Sequence, residues 1–281
     1  MKLFIDIGGT HLRSEIHGLK DVVYEKLPSS DHDLIHFIEK CLTTYPDIHF
    51  IGISYAGQVY NGEILSAPNI TVSETKIKHY FESHYPLRLE IDNDLNCAIM
   101  AEAKNLQEEN IAALYVGTGL GSAVIDQGKL IRGYRNQAFE LGHIPYRETP
   151  FLCGCGKNNC IELFASGSGL EQWMRYNKEE GEGYIKKPNL EKLKREGNPL
   201  VAVFEKALLH ATATLVTLAN PKSLVFGGGI IEDNPYLVTW IREEIATMAL
   251  LSSLEGLSIV QTELQNAAMD GAKLLEKREY E

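Results

Sequence analysis

The chain has 281 residues, 44 % of them hydrophobic and 23 % charged, with a formal net charge of −11. That is apolar material for one large core or two medium ones, so two lobes are the natural expectation. An acidic total with no run of Lys and Arg argues against a nucleic-acid partner, whose phosphates call for a basic face, and reads as solubility.

The N-terminus, MKLFIDIGGT, enters a strand-like run and has neither the length nor the cleavage site of a signal peptide. Strands are predicted at KLFIDI (2–7), HLRSEIHG (11–18) and DVVYEKL (21–27), the first two as a hairpin. SSDHDLIHFIEKCLTTY (29–45) has helical apolar spacing with Ser and Asp as caps, and IHFIGISYAG (48–57) returns to strand. A helix around 74–85, a strand at LRLEID (87–92) and a helix at DLNCAIMAEAKN (94–105) come next. IAALYVGTG (111–119) with its hairpin partner GSAVIDQGKLIRG (121–133) opens a second series. The stretch 111–125, the least polar, is short of a membrane span and broken by three glycines, so no membrane partner is expected. Residues 168–219 read as mostly helical around the Gly- and Lys-rich EEGEGYIKKPN (179–189), with a long helix at 199–220. SLVFGGGI (223–230) is a strand running into glycines, and QNAAMDGAKLLEKREYE a final helix. The same order twice suggests two α/β lobes of pseudo-repeated topology.

Three strand ends run into glycines: DIGGT (6–10), VGTGLGS (116–122) and VFGGGI (225–230). None carries the Lys-Ser/Thr of a P-loop, and none is a GxGxxG opening a helix. All three read as turns between strands whose amides can approach phosphate oxygens, since glycine has no side chain in the way. Asp6, just ahead of the first turn, can hold Mg²⁺ through its waters.

ELGHIPYRETPFLCGCGKNNCIEL (140–163) sets one His and three Cys at metal-ligand spacing. Cys₃His suits tetrahedral Zn²⁺ with no open position, hence a structural ion; no basic helix comes after it to make it a nucleic-acid finger. Cys41 and Cys97 read as buried thiols, and the cysteine usage as a whole fits a reducing cytoplasm.

DIGGT, EIDNDLNCAIMAE, VGTGLGSAVIDQGKLIRG, ELGH and CGCGKNNCIE occur in the order found in the ROK family, and on that pattern the chain resembles its sugar kinases. The resemblance runs from residue 2 to the final helix. It implies two actin-like ATPase (ribonuclease H-like) α/β lobes around a central cleft. The small lobe would comprise residues 1–104 plus 267–281, and the large lobe, with the zinc site, residues 105–266. It implies Asp6, Gly8, Gly9 and Thr10 as the first phosphate loop of an ATP site, Thr118, Gly119 and Gly121 as the second, and Gly227, Gly228 and Gly229 along the adenosine. Asp94 becomes the catalytic base beside the sugar, with Gly57, Asn69, Asn93, Glu140, His143 and Glu162 as sugar-binding positions. His143, Cys153, Cys155 and Cys160 match the zinc ligands. Ala56 stands for the family's usual Pro, Asn159 for a usual Gly and Ala123 for a common one, and APNI (67–70) lacks the Trp that often comes after it. Asn tolerates a left-handed backbone, so Asn159 need not break the zinc site.

The implied activity is ATP-dependent phosphorylation of the 6-hydroxyl of a free hexose, glucose first. N-acetylmannosamine, N-acetylglucosamine and fructose are the alternative substrates. A sugar-sensing transcriptional regulator lacking its DNA-binding domain is the remoter reading, because the DIGGT strand begins at residue 2. Asp94 lies where a strand gives way to a helix, whose N-terminus keeps a carboxylate ionised and fixed. A zinc-bound His143 would keep one ring nitrogen on the metal and turn the other to the sugar. Many members of the family dimerise, so a homodimer is a further expectation that no residue fixes.

Overall fold

A computed structural model describes residues 1–66, 70–177, 189–277 and 280. The chain divides into two units: Met1–Gln107 with Gly128–Ala138 and Leu264–Glu281, and Glu108–Gln127 with Phe139–Glu263.

In the first unit the N-terminal hairpin forms as expected, β1 (Lys2–Ile7) pairing antiparallel with β2 (His11–His17). With β3 (Val23–Pro28), β4 (Phe50–Tyr55) and, after the small antiparallel pair β5 (Val59–Tyr60) and β6 (Glu63–Ile64), β7 (Arg88–Asn93), the sheet order is β3-β2-β1-β4-β7. β1–β4 and β4–β7 are parallel. β4 is buried along its whole length, as the near-continuous apolar run FIGISY requires of a strand covered on both faces. β2 alternates buried and part-exposed residues, as a half-covered strand should. Helices α1 (Leu34–Thr44), α2 (Ile77–His84) and α3 (Asp94–Leu106) match the apolar spacing of the sequence. Asp33 caps α1 by accepting from the Ile35 and His36 amides.

In the second unit β8 (Ile111–Val116) and β9 (Leu120–Asp126) form the expected hairpin, so 111–125 is split between two strands. The two-residue β10 (Lys129–Leu130) belongs to the first unit; within the second, β11 (Ser223–Gly227) and β12 (Ser258–Gln261) give the order β9-β8-β11-β12. Helices α4 (Gly167–Tyr176), α5 (Leu190–Arg195), α6 (Pro199–Ala219), α7 (Gly229–Asp233) and α8 (Tyr236–Glu244) complete it. Among the described residues α6 alone is long and apolar enough to cross a membrane by length and composition. Two-thirds of its most apolar window (67 %) is buried in the unit, with Phe204, Leu208, Ala211, Leu215 and Val216 in the core, so it is a core helix. Asn198 and Pro199 start it and Asn220, at φ 44°, stops it.

Two expectations need correction. VFGGGI is not a turn between strands: Gly228 sits at φ 89° and Gly229 opens α7. A Cβ at Gly228 would lie 2.6 Å from the Val116 carbonyl oxygen, so the strand–helix turn closes against β8 only because glycine stands there. The final helix is shorter than the tail, spanning Ala267–Leu274. All of EEGEGYIKKPN (179–189) but Asn189 lies outside the described residues.

The C-terminal helix packs on α3 and approaches it most closely at Gly271, where any Cβ would overlap the Cys97 carbonyl. Backbone cannot yield as a side chain can. Gly271→Ala is therefore expected to lower stability by about 3 kcal/mol, at the top of the usual overpacking range, despite alanine's better helix propensity. Urea unfolding midpoints of the two proteins check this; an unchanged or raised midpoint would refute the close contact.

Candidate active site and metal centre

Parallel register does the first assembly step. Ile7 pairs with Tyr55 and Tyr55 with Asn93, so Gly8–Thr10, Ala56–Gly57 and Asp94 all leave the first sheet at its same edge. The edge beyond the carboxyl ends of parallel strands is where α/β folds bind ligands. In the first turn the Gly8 amide donates to the His11 carbonyl (3.0 Å), and Ser29 Oγ donates to the Gly8 carbonyl (2.5 Å), leaving Gly9 and Thr10 exposed. Asp6 is buried beneath them and accepts from Arg13 Nη1 (2.9 Å), Asn266 Nδ2 (3.2 Å) and Ser54 Oγ (3.3 Å). A carboxylate offers roughly four acceptor positions, so Asp6 keeps room for one water of a hydrated Mg²⁺ and not for chelating a bare ion.

Asn93 is the N-cap of α3, its Oδ1 accepting from the Leu95 and Asn96 amides (2.9 and 3.3 Å). Its Nδ2 donates to the Gly57 carbonyl (3.1 Å), tying the Ala56–Gly57 segment to the helix start. Asp94, half-buried in the first turn, accepts from the Leu95 amide (3.0 Å). Ala56 shows what its departure from proline does: its amide donates to the Ile7 carbonyl at 2.9 Å, a bond proline cannot make. The Tyr55 ring backs Gly57, and the buried Tyr55 hydroxyl has no partner among the described residues. Asn69 lies outside the described residues.

In the second unit, Tyr115 pairs with Gly227, so the Gly117–Gly119 turn and Gly228–Gly229 likewise lie at one edge of the sheet, while Gly121 sits inside β9 opposite Tyr115. The start of α4 holds the first of these turns, the Gly167 and Ser168 amides donating to the Gly117 and Thr118 carbonyls (2.8 and 3.0 Å). Glu162 reaches the same turn: its Oε2 accepts from the Leu120 amide (2.9 Å) and would lie 2.7 Å from any Cβ at Gly119. Its Oε1 accepts from the Cys153 thiol (3.3 Å).

The ligand atoms of His143, Cys153, Cys155 and Cys160 all lie within 4.8 Å of one another. A bridge between Pro145 and Cys160, flanked by the Ile161 N–H to Ile144 C=O bond (3.0 Å), brings the two ends of the cluster together. The gaps Cys153 Sγ–His143 Nδ1 (3.5 Å) and Cys155 Sγ–Cys160 Sγ (3.4 Å) approach the edge of a tetrahedron about 3.8 Å long that Zn–S bonds of about 2.3 Å require. The donor set and its spacing fit a closed structural zinc site. Nδ1 of His143 faces the cluster, and Nε2 lies 4.0 Å from Glu140 Oε2. Burial raises the Glu140 carboxyl above its ordinary value; His143 opposes the shift and the Glu162 carboxylate adds to it. Burial pushes the Cys153 and Cys160 thiols up as well. At Cys155 the hydrogen bonds from the Lys157 amide and the two neighbouring thiols outweigh burial and leave that thiol low.

The ROK family model matches residues 3–279. The chain belongs to the ROK family. A glucokinase of Streptomyces coelicolor is 28 % identical over 272 residues, covering 85 % of each chain. A ROK hexokinase from Thermus thermophilus superposes with a TM-score of 0.77 at 25 % identity, over 97 % of this chain and 96 % of that one. A ROK transcriptional regulator, a homologue of the E. coli MLC protein, gives 0.81 at 23 % identity, over 99 % of this chain and 78 % of the other. Fold and Cys/His cluster are those of a sugar-kinase-like ROK protein.

Within this ROK chain, Asn159 is not among the left-handed residues, so its replacement of glycine needs no tolerance; its carbonyl accepts from the Tyr146 amide (2.7 Å). Ala123 is an ordinary buried strand residue opposite Ala113. Sequence reasoning passes over Asp92, Arg132 and Asn136, which surround the Asn93–Asp94 turn. The one available signal is a buried-strand Asp immediately before a helix N-cap. One zinc ion per chain is expected on metal analysis, and Cys155→Ala should retain next to none after dialysis. Because the ligands bind as thiolates and binding releases protons, zinc affinity should fall steadily from about pH 8 to about pH 6 in a chelator competition. A pH-independent affinity would rule the thiols out as ligands.

Proposed function

We propose that this ROK protein is an ATP-dependent kinase acting on the 6-hydroxyl of a free hexose, glucose first. The observation that carries the reading is the first-unit edge where a glycine turn, the Gly57 loop and Asp94 emerge in register. Phosphoryl transfer asks a protein chiefly to hold its partners and offset charge, and a glycine turn beside a fixed carboxylate suits that demand. Asp94 accepts the hydroxyl proton as the oxygen attacks the γ-phosphorus and the bond from that phosphorus to the β–γ bridging oxygen breaks, releasing ADP. Asp94 sits in the first turn of α3, at the helix's positive end, which favours placement over raw basicity. Asn93 and the Gly57 loop hold the sugar against it. Exposed amides of Gly9, Thr10 and Thr118 serve the phosphates, Gly227–Gly229 the adenosine, and Asp6 orients a water of the nucleotide's Mg²⁺.

His143, Glu140 and Glu162 take the remaining sugar hydroxyls. Zinc, held by His143, Cys153, Cys155 and Cys160, supplies a fixed imidazole and no reaction step of its own. With Nδ1 committed to the metal, Nε2 carries the proton and donates a directed hydrogen bond. All five cysteines are unpaired, which supports a reducing, cytoplasmic setting. Likeness to a regulator favours a second reading, sugar sensing without turnover.

ADP release over a panel of glucose, fructose, mannose and the N-acetylhexosamines separates the two. Sugar-dependent release with glucose best is expected; sugar binding without release establishes the sensor. Asp94→Asn should lower kcat by about 10²–10⁴-fold while sugar affinity, read by calorimetry, holds. Near-wild-type turnover in that variant would remove Asp94 from the role of base. Cys155→Ala should lose sugar affinity along with zinc, and an unchanged affinity would sever the metal from the sugar site.

A further inference from the structure

Directly beneath Asn93 and Asp94 lies a carboxylate that the proposed chemistry does not use. Asp92 is 3 % exposed and accepts from four donors. These are the Asn93 amide (2.8 Å), Asn96 Nδ2 (2.9 Å), Asn136 Nδ2 (2.9 Å) and Arg132 Nη1. Asn136 Oδ1 accepts in turn from Asn96 Nδ2 (3.0 Å) and Arg132 Nη1 (3.1 Å), and Asn136 Nδ2 also donates to the Val59 carbonyl (3.0 Å). Asn136 does this from a left-handed backbone, φ 59°, in the Gly128–Ala138 segment that precedes Glu140.

We propose that Asp92, Arg132 and Asn136 are positioning residues that set the Asn93–Asp94 turn, and with it the base; this rests on the kinase reading. A buried ion pair is weak support for stability, since desolvation offsets its attraction. Packing does not explain the cluster either, because all three side chains line a cavity of about 580 Å³ instead of a filled core. What the network does fix is geometry. It holds the Asn93 amide and the Asn96 side chain on one face of the α3 start. Through Val59 it also holds the strand just after the Gly57 loop, whose carbonyl Asn93 itself engages. One residue, Asn136, thus bonds both elements that flank Asp94.

The test uses Asn136→Gly, which keeps the left-handed backbone and deletes only the amide, with Arg132→Met, Arg132→Lys and Asp92→Asn beside it, all in the full chain. Asn136→Gly and Arg132→Met should each lower kcat by about 10–10²-fold with the KM for ATP within about twofold, and Arg132→Lys should recover part of the loss. Added to Asp94→Asn, Asn136→Gly should cost little more, because a residue acting through Asp94 has nothing left to position. Amide hydrogen exchange, independent of any activity, should quicken at Leu95 and Asn96 in Asn136→Gly. A lowered melting temperature with kcat and exchange unchanged, or a full additive loss on top of Asp94→Asn, would overturn the proposal. A wild-type protein without sugar-dependent ADP release would instead sink the kinase reading, and exchange at Leu95 and Asn96 would still decide the positioning claim.

Discussion

Parallel strand register is the constraint on which the site depends. Once Ile7, Tyr55 and Asn93 are neighbours across three strands, the residues after each emerge together whatever their side chains are. The pairing of Tyr115 with Gly227 repeats this in the second unit. A slip of one residue in β4 would turn its buried side chains to the opposite face and move Gly57 away from Asp94. Burial on both faces makes such a slip expensive: Ile51, Ile53 and Tyr55 are fully buried, and so are Leu3, Ile5 and Ile7 beside them. The apolar core therefore fixes the placement of polar groups that contribute little to stability themselves.

Buried carboxylates show how the chain tolerates polarity at these edges. Asp6 and Asp92 are 6 % and 3 % exposed, and each faces an arginine and further neutral donors. Removing one partner would leave a desolvated charge, which costs far more than the intact pair contributes. Glu162, half-buried in the second unit, spans the Leu120 amide and the Cys153 thiol. It links the glycine turn to the metal cluster through two oxygens of one side chain.

Much of this is legible in the sequence because it rests on local signals. The β1–β2 hairpin, α1, α3 and α6 arise from apolar periodicity and from caps such as Asp33 and Asn198. The metal cluster is legible from ligand spacing, since Cys153, Cys155 and Cys160 sit on one short loop. The Asp92 network is illegible because it joins residues forty positions apart through bonds that need a folded backbone. Arg132 and Asn136 have no motif of their own, and a left-handed Asn at 136 looks like any turn residue. VFGGGI misleads for a related reason. A glycine run marks a turn without revealing whether a strand or a helix lies beyond it, and α7 is only five residues long.

Substrate identity is hidden at another level. Phe139, immediately before Glu140, has φ 61°, a conformation that bulky residues adopt only under outside restraint, at a cost of roughly 1–3 kcal/mol. Ser122 Oγ and the Leu141 amide both donate to its carbonyl (2.6 and 2.7 Å), and its ring packs on the second unit's core. These contacts hold Glu140 at the start of the short helix that carries His143. A carboxylate so placed accepts from any suitably spaced hydroxyl, and an added acetamido group is refused by shape more than by charge. Discrimination between such sugars amounts to about 1–3 kcal/mol where it rests on apolar fit. The strain at residue 139 is of that same size, so under the proposed reading the aim of Glu140 weighs as much in choosing a sugar as the carboxylate itself.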